Sequence, residues 1–195
     1  MAGAMFRWAA PVFARFARHW GRQDAEALAT WLRPTVPPGG RLLDLGGGTG
    51  HLARLLAERL DCCVTVLDQT HAMLRYAEVM PGVEPVLGDA AAMPFDDATF
   101  NAVLVSDALH HFVEPAVALG EMTRVVRPGG GVLVLEIDPR RRGARTVARI
   151  ERLVGEPANF LTPRELERLM KSVGVEGESH DQGYASYLFA GRRSG

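Results

Sequence analysis

The sequence predicts a doubly wound α/β sandwich whose mainly parallel sheet is closed by an antiparallel hairpin at its C-terminal end. Three observations carry that prediction. From Arg41 onward, short apolar runs alternate with segments of helical periodicity, the rhythm of βαβ units. Runs such as 132–137 are apolar without alternation, which suits strands covered on both faces. One run, 42–45, ends in the glycines 46, 47, 48 and 50 before a helix begins. Such a strand–turn–helix junction is where open α/β sheets present backbone N–H groups and a positive helix end to a ligand.

Composition narrows the class. With 195 residues, 47% hydrophobic and 23% charged, the chain reads as one globular domain large enough for a substantial core. A formal net charge of -1 gives no electrostatic reason to expect nucleic acid as a partner. The two cysteines, Cys62 and Cys63, are adjacent in an apolar setting. They read as packing residues of a protein from a reducing cytoplasm, not as a disulfide or zinc framework. No apolar run approaches the roughly 20 residues that span a bilayer.

Residues 5–33 read as helical, with Phe6, Ala9, Ala10, Phe13, Phe16, Ala17 and Trp20 at three- and four-residue spacing and arginines between them. Those arginines deny the stretch the uninterrupted core of a secretory signal. Pro11 and Gly21 are expected to interrupt it, and the proline- and glycine-rich 34–40 stretch ends it. Residues 1–36 are thus expected to form an N-terminal helical cap on a ligand-binding domain of 37–195, one domain overall. The cap reads as a packed flap or a mobile lid. Peripheral contact with a membrane surface and a homodimer interface in place of a monomer stay open for it.

Strand 42–45 is followed by a helix over 51–60. Strand 63–67 ends in Asp68, and a helix over 70–79 follows with Thr70 as its N-cap. Strands 83–87 and 100–106 come next, then a helix over 114–126 closed by Arg127-Pro128-Gly129-Gly130, and strand 132–137. The 140–160 stretch is basic and helical without a strand signal. Thr162, Pro163 and Glu165 form a capping box that opens a helix to about residue 173. Strands 175–180 and 184–190 pair as a hairpin around Asp181-Gln182-Gly183.

Asp44 is the odd residue in the first strand. A carboxylate near the C-terminal end of a core strand is awkward as packing and points to a cation or a hydroxyl to be held. Two ligand classes compete for the glycine turn. Gly48-Thr49-Gly50-His51-Leu52-Ala53 fits a dinucleotide pattern, with Asp68 available for a ribose hydroxyl. Against it, the turn begins at Gly46, a frame that requires glycine at His51, and Asp44 is an unwelcome charge beside a pyrophosphate. A cationic ligand without phosphate reverses that last argument.

The ordered motifs then carry a resemblance. Leu43-Asp44-Leu45-Gly46-Gly47-Gly48-Thr49-Gly50, Val66-Leu67-Asp68, Gly88-Asp89-Ala90-Ala91-Ala92-Met93-Pro94-Phe95, the 100–111 strand and loop, and Arg124-Val125-Val126-Arg127-Pro128-Gly129-Gly130 follow one another. In that order they resemble a class I S-adenosylmethionine-dependent methyltransferase, most similar to the small ubiquinone/menaquinone-biosynthesis branch. The resemblance implies a Rossmann-like seven-stranded sheet, S-adenosyl-L-methionine as cofactor, S-adenosyl-L-homocysteine as product, and a small-molecule methyl acceptor. It implies that Asp44 with Gly46, Gly47 and Gly48 cradles the methionine portion. Asp68, beside Gln69, is expected to accept from both ribose hydroxyls, Asp89 and the backbone of Ala90 to read the adenine edge, and Ser106 to meet the methionine end.

His110 and His111 fall at the ligand edge of the sheet. An imidazole there can remove a substrate proton, hold an acidic oxygen, or simply pack. They are the candidate catalytic residues, and no metal is expected, since adjacent histidines rarely point at one ion. After the fourth strand the chain lacks the Asn/Asp-Pro-Pro-Tyr signature of enzymes acting on planar amino groups, which disfavours DNA bases. Cys62 and Cys63 sit at the wrong strand end for arsenite. Phe13 stands where the quinone branch leads one to expect an aromatic hydroxyl. The acceptor atom stays open among oxygen, carbon and nitrogen, and its pocket is expected to be walled by 5–33 and 140–160. The alternatives are a noncatalytic S-adenosylmethionine-binding protein and an NAD(P)-dependent oxidoreductase.

Overall fold

The computed structural model of the protein describes residues 21–142, 144–153, 157–183 and 185–195. The helix expected over 5–20, including Phe13, lies outside them. Seven strands form one sheet: β1 (Arg41–Leu45), β2 (Cys63–Asp68), β3 (Val83–Leu87), β4 (Phe100–Ser106), β5 (Val126–Ile137), β6 (Val175–Gly183) and β7 (Ser186–Arg193). Their order is β3-β2-β1-β4-β5-β7-β6. The first five strands run parallel, and β7 is antiparallel to both β5 and β6. This is the seven-stranded Rossmann-like arrangement expected. The order reverses between β1 and β4, which opens a crevice at their carboxyl ends.

The helices are α1 (Arg22–Leu32), α2 (His51–Leu60), α3 (His71–Ala77), α4 (Pro115–Val125), α5 (Ala144–Leu153) and α6 (Pro163–Ser172). Alternate residues of each strand feed two core layers. Leu42, Val64, Val66, Ala102 and Leu104 pack on the side of α1 and α2, which contribute Ala25, Leu28, Leu32, Leu52 and Leu56. Leu43, Leu45, Val103, Val105 and Phe189 pack on the other side with Leu119 and Met122 of α4 and Leu166 and Met170 of α6. Burial on both faces is why the strands read as continuous apolar runs. The α6 capping box forms as expected: Thr162 Oγ1 accepts the Glu165 N–H, and Glu165 Oε2 accepts the Thr162 N–H at 2.8 Å.

Three local expectations shift. The fifth strand begins at Val126, because Val126 pairs with Phe100 and Gly131 with Ala102. Residues 127–130 therefore bulge out opposite the single residue Asn101, and the Arg-Pro-Gly-Gly turn lies inside the strand. The C-terminal hairpin reverses after Gly183 and not at 181–183. Asp181 pairs with Tyr187 and Gly183 with Ser186, with a register shift between them where Asp181 Oδ1 accepts the Gly183 N–H at 2.8 Å. Thr70 is the N-cap of α3, but its hydroxyl makes no capping bond. Asp68 Oδ1 accepts the Thr70 N–H at 2.7 Å instead.

Among the described residues, no helix is long and apolar enough to cross a membrane.

Candidate functional site

At the switch between β1 and β4 lies a cavity of about 590 Å³, within the range of small-molecule sites. The glycine turn after β1, the start of α2, the ends of β2, β3 and β4, and the 111–114 segment line it. Local chemistry explains the turn. Gly46 has φ +74°, and a Cβ there would stand 2.7 Å from the Ala108 Cβ. A Cβ on Gly47 would press into the Asp44 carboxylate. Only glycine lets the turn close over Asp44 and under the 108 turn.

The free N–H groups expected of this turn are partly committed within the protein. Gly46 N–H donates to Leu67 O at 2.7 Å, Gly50 N–H to Gly47 O at 3.0 Å, and Gly48 N–H to Asp68 Oδ2 at 3.1 Å. Asp68 thus grips the turn with one oxygen and the start of α3 with the other. The carboxylate, with about four acceptor sites, retains capacity for a ligand hydroxyl. Burial holds the Asp68 carboxyl above its usual range, opposed by the Thr70 and Gly48 hydrogen bonds.

Asp44 is the electrostatic centre of the site. It is 1% exposed, and neither carboxylate oxygen has a hydrogen-bond partner among the described residues. Burial, reinforced by the charge of Asp68, pushes its carboxyl up to about 7. A buried carboxylate left unsatisfied is costly, and a cationic ligand group offsets that cost. Ser106 Oγ, at the end of β4, is a second buried polar atom without such a partner, and it too lines the cavity. Asp89 is exposed at the rim and accepts the Ala91 N–H at 2.9 Å, while the backbone of Ala90 stays on the cavity wall.

This donor set fits the expected cofactor. S-adenosylmethionine carries an ammonium and a sulfonium for Asp44, a ribose diol for Asp68, and an adenine for the 88–91 turn. A pyrophosphate would meet Asp44 and Asp68 as like charges. Glu121 and Arg124 of α4 hold the neighbouring loop in place. Glu121 Oε2 accepts the Met93 N–H at 2.8 Å, and Arg124 donates to Met93 O at 3.1 Å and Phe95 O at 2.7 Å. The Arg124 hydrogen bonds keep the Glu121 carboxyl below its ordinary value.

The histidine pair divides. His111 lines the cavity, as do all nine expected cofactor residues, Gln69 included. His110 points away and is 3% exposed, with its ring against Glu136 and Phe160. It is corrected from a candidate catalytic residue to a buried one. Of the walls expected from 5–33 and 140–160, residues 5–20 lie outside the described residues. Neither α1 nor the described part of 140–160 lines the cavity. Its apolar side comes from Leu52, Leu67, Met73, Phe112 and Val113, which sequence reading missed. Met73 within α3 and the apolar pair after His111 carried no signal distinguishing them from core. Among the described residues no group of three or more His, Cys, Asp or Glu could hold a metal ion.

Residues 43–134 match the methyltransferase domain family. The ubiquinone/menaquinone biosynthesis C-methyltransferase of Roseobacter denitrificans is 40% identical over 119 residues, covering 57% of this chain and 47% of that protein. The chain therefore spans about half the length of the first curated relatives it matches. An uncharacterized methyltransferase of Mycobacterium bovis is 40% identical over 167 residues, 73% of this chain and 67% of the relative. A solved S-adenosylmethionine-dependent methyltransferase from Thermotoga maritima aligns over 98% of this chain and 100% of its own, with a TM-score of 0.77 and 21% identity, a likeness of fold.

Proposed function

The chain belongs to the class I S-adenosylmethionine-dependent methyltransferases, and from that premise we propose that it methylates a ring carbon of a small quinol-type acceptor. The observation that carries the methyl-transfer reading is Asp44, a carboxylate buried under a glycine turn without a hydrogen-bond partner among the described residues, in a cavity whose described lining holds no arginine or lysine to meet a phosphate. The carbon acceptor draws its support from the Roseobacter relative, named as a C-methyltransferase of quinone biosynthesis, and from the apolar wall of Met73, Phe112 and Val113.

When bound, the cofactor supplies a methyl group on a cationic sulfur that leaves as a neutral thioether. The chain's own residues align and dehydrate the reacting atoms. Asp44 holds the cationic end, Asp68 the ribose, and Ser106 the strand-end contact beside them. His111 is a side chain on the cavity wall, at the strand-end loop beside Phe112 and Val113, suited to take the proton that a quinol loses as its ring carbon is methylated. Adjacent thiols outside any disulfide, Cys62 and Cys63, support placing the reaction in a reducing cytoplasm.

Calorimetric titration with S-adenosylhomocysteine and NADH tests the cofactor class, and binding of NADH alone overturns it. Methyl transfer to 2-prenyl-1,4-naphthoquinol, compared with simple phenols and amines, tests the acceptor. Turnover confined to amines refutes the quinol reading, and absence of turnover on all three makes the protein a noncatalytic binder. For His111→Ala, the pH profile of turnover should flatten on its acidic side. A change below about twofold removes the proton-accepting role.

A further inference from the structure

We infer that the buried pair His110–Glu136 is a positioning latch that fixes His111 and Phe112 on the cavity wall and ties that wall to residues 159–161. The inference rests on the acceptor-side role given to His111 above.

The turn at Leu109–His111 leaves β4 through Asp107, whose φ of +48° lies in the left-handed region that aspartate tolerates at isolated positions. Two successive residues of β5 hold it. Leu135 O accepts the Asp107 N–H at 3.0 Å, and the Glu136 side chain takes the next part of the turn. Glu136 is fully buried, and its carboxylate gathers three donors. His110 N–H donates at 3.1 Å, His110 Nδ1–H at 2.8 Å, and Ile137 N–H at 2.7 Å. One carboxylate therefore grips both the backbone and the ring of a single residue, so the turn can neither slide nor rotate.

Apolar side chains could fill the same volume without desolvating a charge, so packing alone does not account for the pair. Its remaining contacts point outward to the site. The His110 ring lies 4.1 Å from the His111 ring, centroid to centroid, and stacks on Phe160 at 4.4 Å and 14°. His110 O accepts the Asn159 N–H at 2.9 Å, and Asn159 Nδ2 donates to Phe112 O at 2.8 Å. Leu161 O in turn accepts the Tyr187 hydroxyl at 2.9 Å. Asn159 and Phe160 thus lie behind the cavity wall and reach the site through His110 and Phe112. This is how the segment expected to wall the pocket acts on it.

The test uses the full chain with S-adenosylhomocysteine bound, comparing wild type, Glu136→Gln and His110→Asn. The Asn amide retains a donor near the Nδ1 position, so His110→Asn is the conservative variant. With Glu136→Gln, the Asn159 amide should exchange about tenfold faster, kcat on the naphthoquinol should fall about tenfold, and S-adenosylhomocysteine affinity should stay within about twofold. His110→Asn should recover most of the amide protection and of kcat. Unchanged Asn159 exchange in Glu136→Gln, or a parallel loss of S-adenosylhomocysteine affinity, overturns the latch. If Glu136→Gln does not fold, His110→Leu takes its place: it lacks the Nδ1 donor, so the latch requires faster Asn159 exchange in His110→Leu than in His110→Asn, and equal exchange in the two overturns it. A wild-type chain that fails to bind S-adenosylhomocysteine refutes the proposed function, while exchange in the unliganded chain still reads the latch.

Discussion

Replacing Asp44 by Asn should make the unliganded protein more stable and the liganded one weaker. The carboxyl titrates at about 7 in the folded chain, against 3.8 as its ordinary value, because burial and Asp68 oppose its charge. Between those two values the folded state holds a proton that the unfolded state has released, so stability falls as pH rises. At about 1.4 kcal/mol per pH unit, the loss reaches on the order of 4 kcal/mol once pH exceeds 7. Asparagine is isosteric and cannot ionise, so it removes this slope. Urea unfolding of wild type and Asp44→Asn from pH 4 to 9 should show curves that nearly coincide at pH 4 and separate to that extent above pH 7. The same substitution should weaken S-adenosylhomocysteine by about tenfold or more, since the ammonium loses its counter-charge. Because a bound cation draws the Asp44 proton off, wild type should release protons on binding near pH 7, and the variant should not. Equal pH slopes for the two proteins, or a variant that binds as tightly as wild type, would refute the reasoning.

Three further outcomes follow from the same geometry. Asp68→Ala should cost about 1–3 kcal/mol of cofactor affinity by titration, and also about 1 kcal/mol of stability, because Asp68 ties Gly48 to the start of α3. Gly47→Ala should abolish measurable S-adenosylhomocysteine binding, since its Cβ displaces the Asp44 carboxylate; binding within about threefold of wild type contradicts this. Arg124→Ala should destabilise by about 1–3 kcal/mol in denaturant unfolding, because the Phe95 carbonyl loses its donor and Met93 O and the Glu121 carboxylate each lose a charged one. Glu121 ionises below its ordinary value beside Arg124, so the stability it contributes is present above that value and lost as pH falls through the lowered one. Arg124→Ala should therefore show a shallower acid transition than wild type.

What the sequence determined by itself is the order of the elements and the polar residues at their ends. Helices 51–60 and 163–172 and strands 83–87 and 100–106 were legible because caps, glycines and apolar runs act over a few neighbouring residues. The acids 44, 68 and 89 were legible for the same reason: each stands out against the apolar strand that delivers it. Tertiary structure decided what those groups meet. Nothing local says that His111 faces a cavity while His110 faces Glu136, 26 residues away. Nor does the sequence reveal that Asp68 spends part of its capacity on Gly48, or that Met73 and Phe112 wall a site while Met122 fills a core. The hairpin turn moved because cross-strand pairing, not the Asp-Gln-Gly tripeptide, sets where the chain reverses. Chain-local chemistry fixes which groups arrive at the edge of the sheet. Which of them are left without a partner among the described residues depends on long-range packing, and at Asp44 that is what points to the ligand.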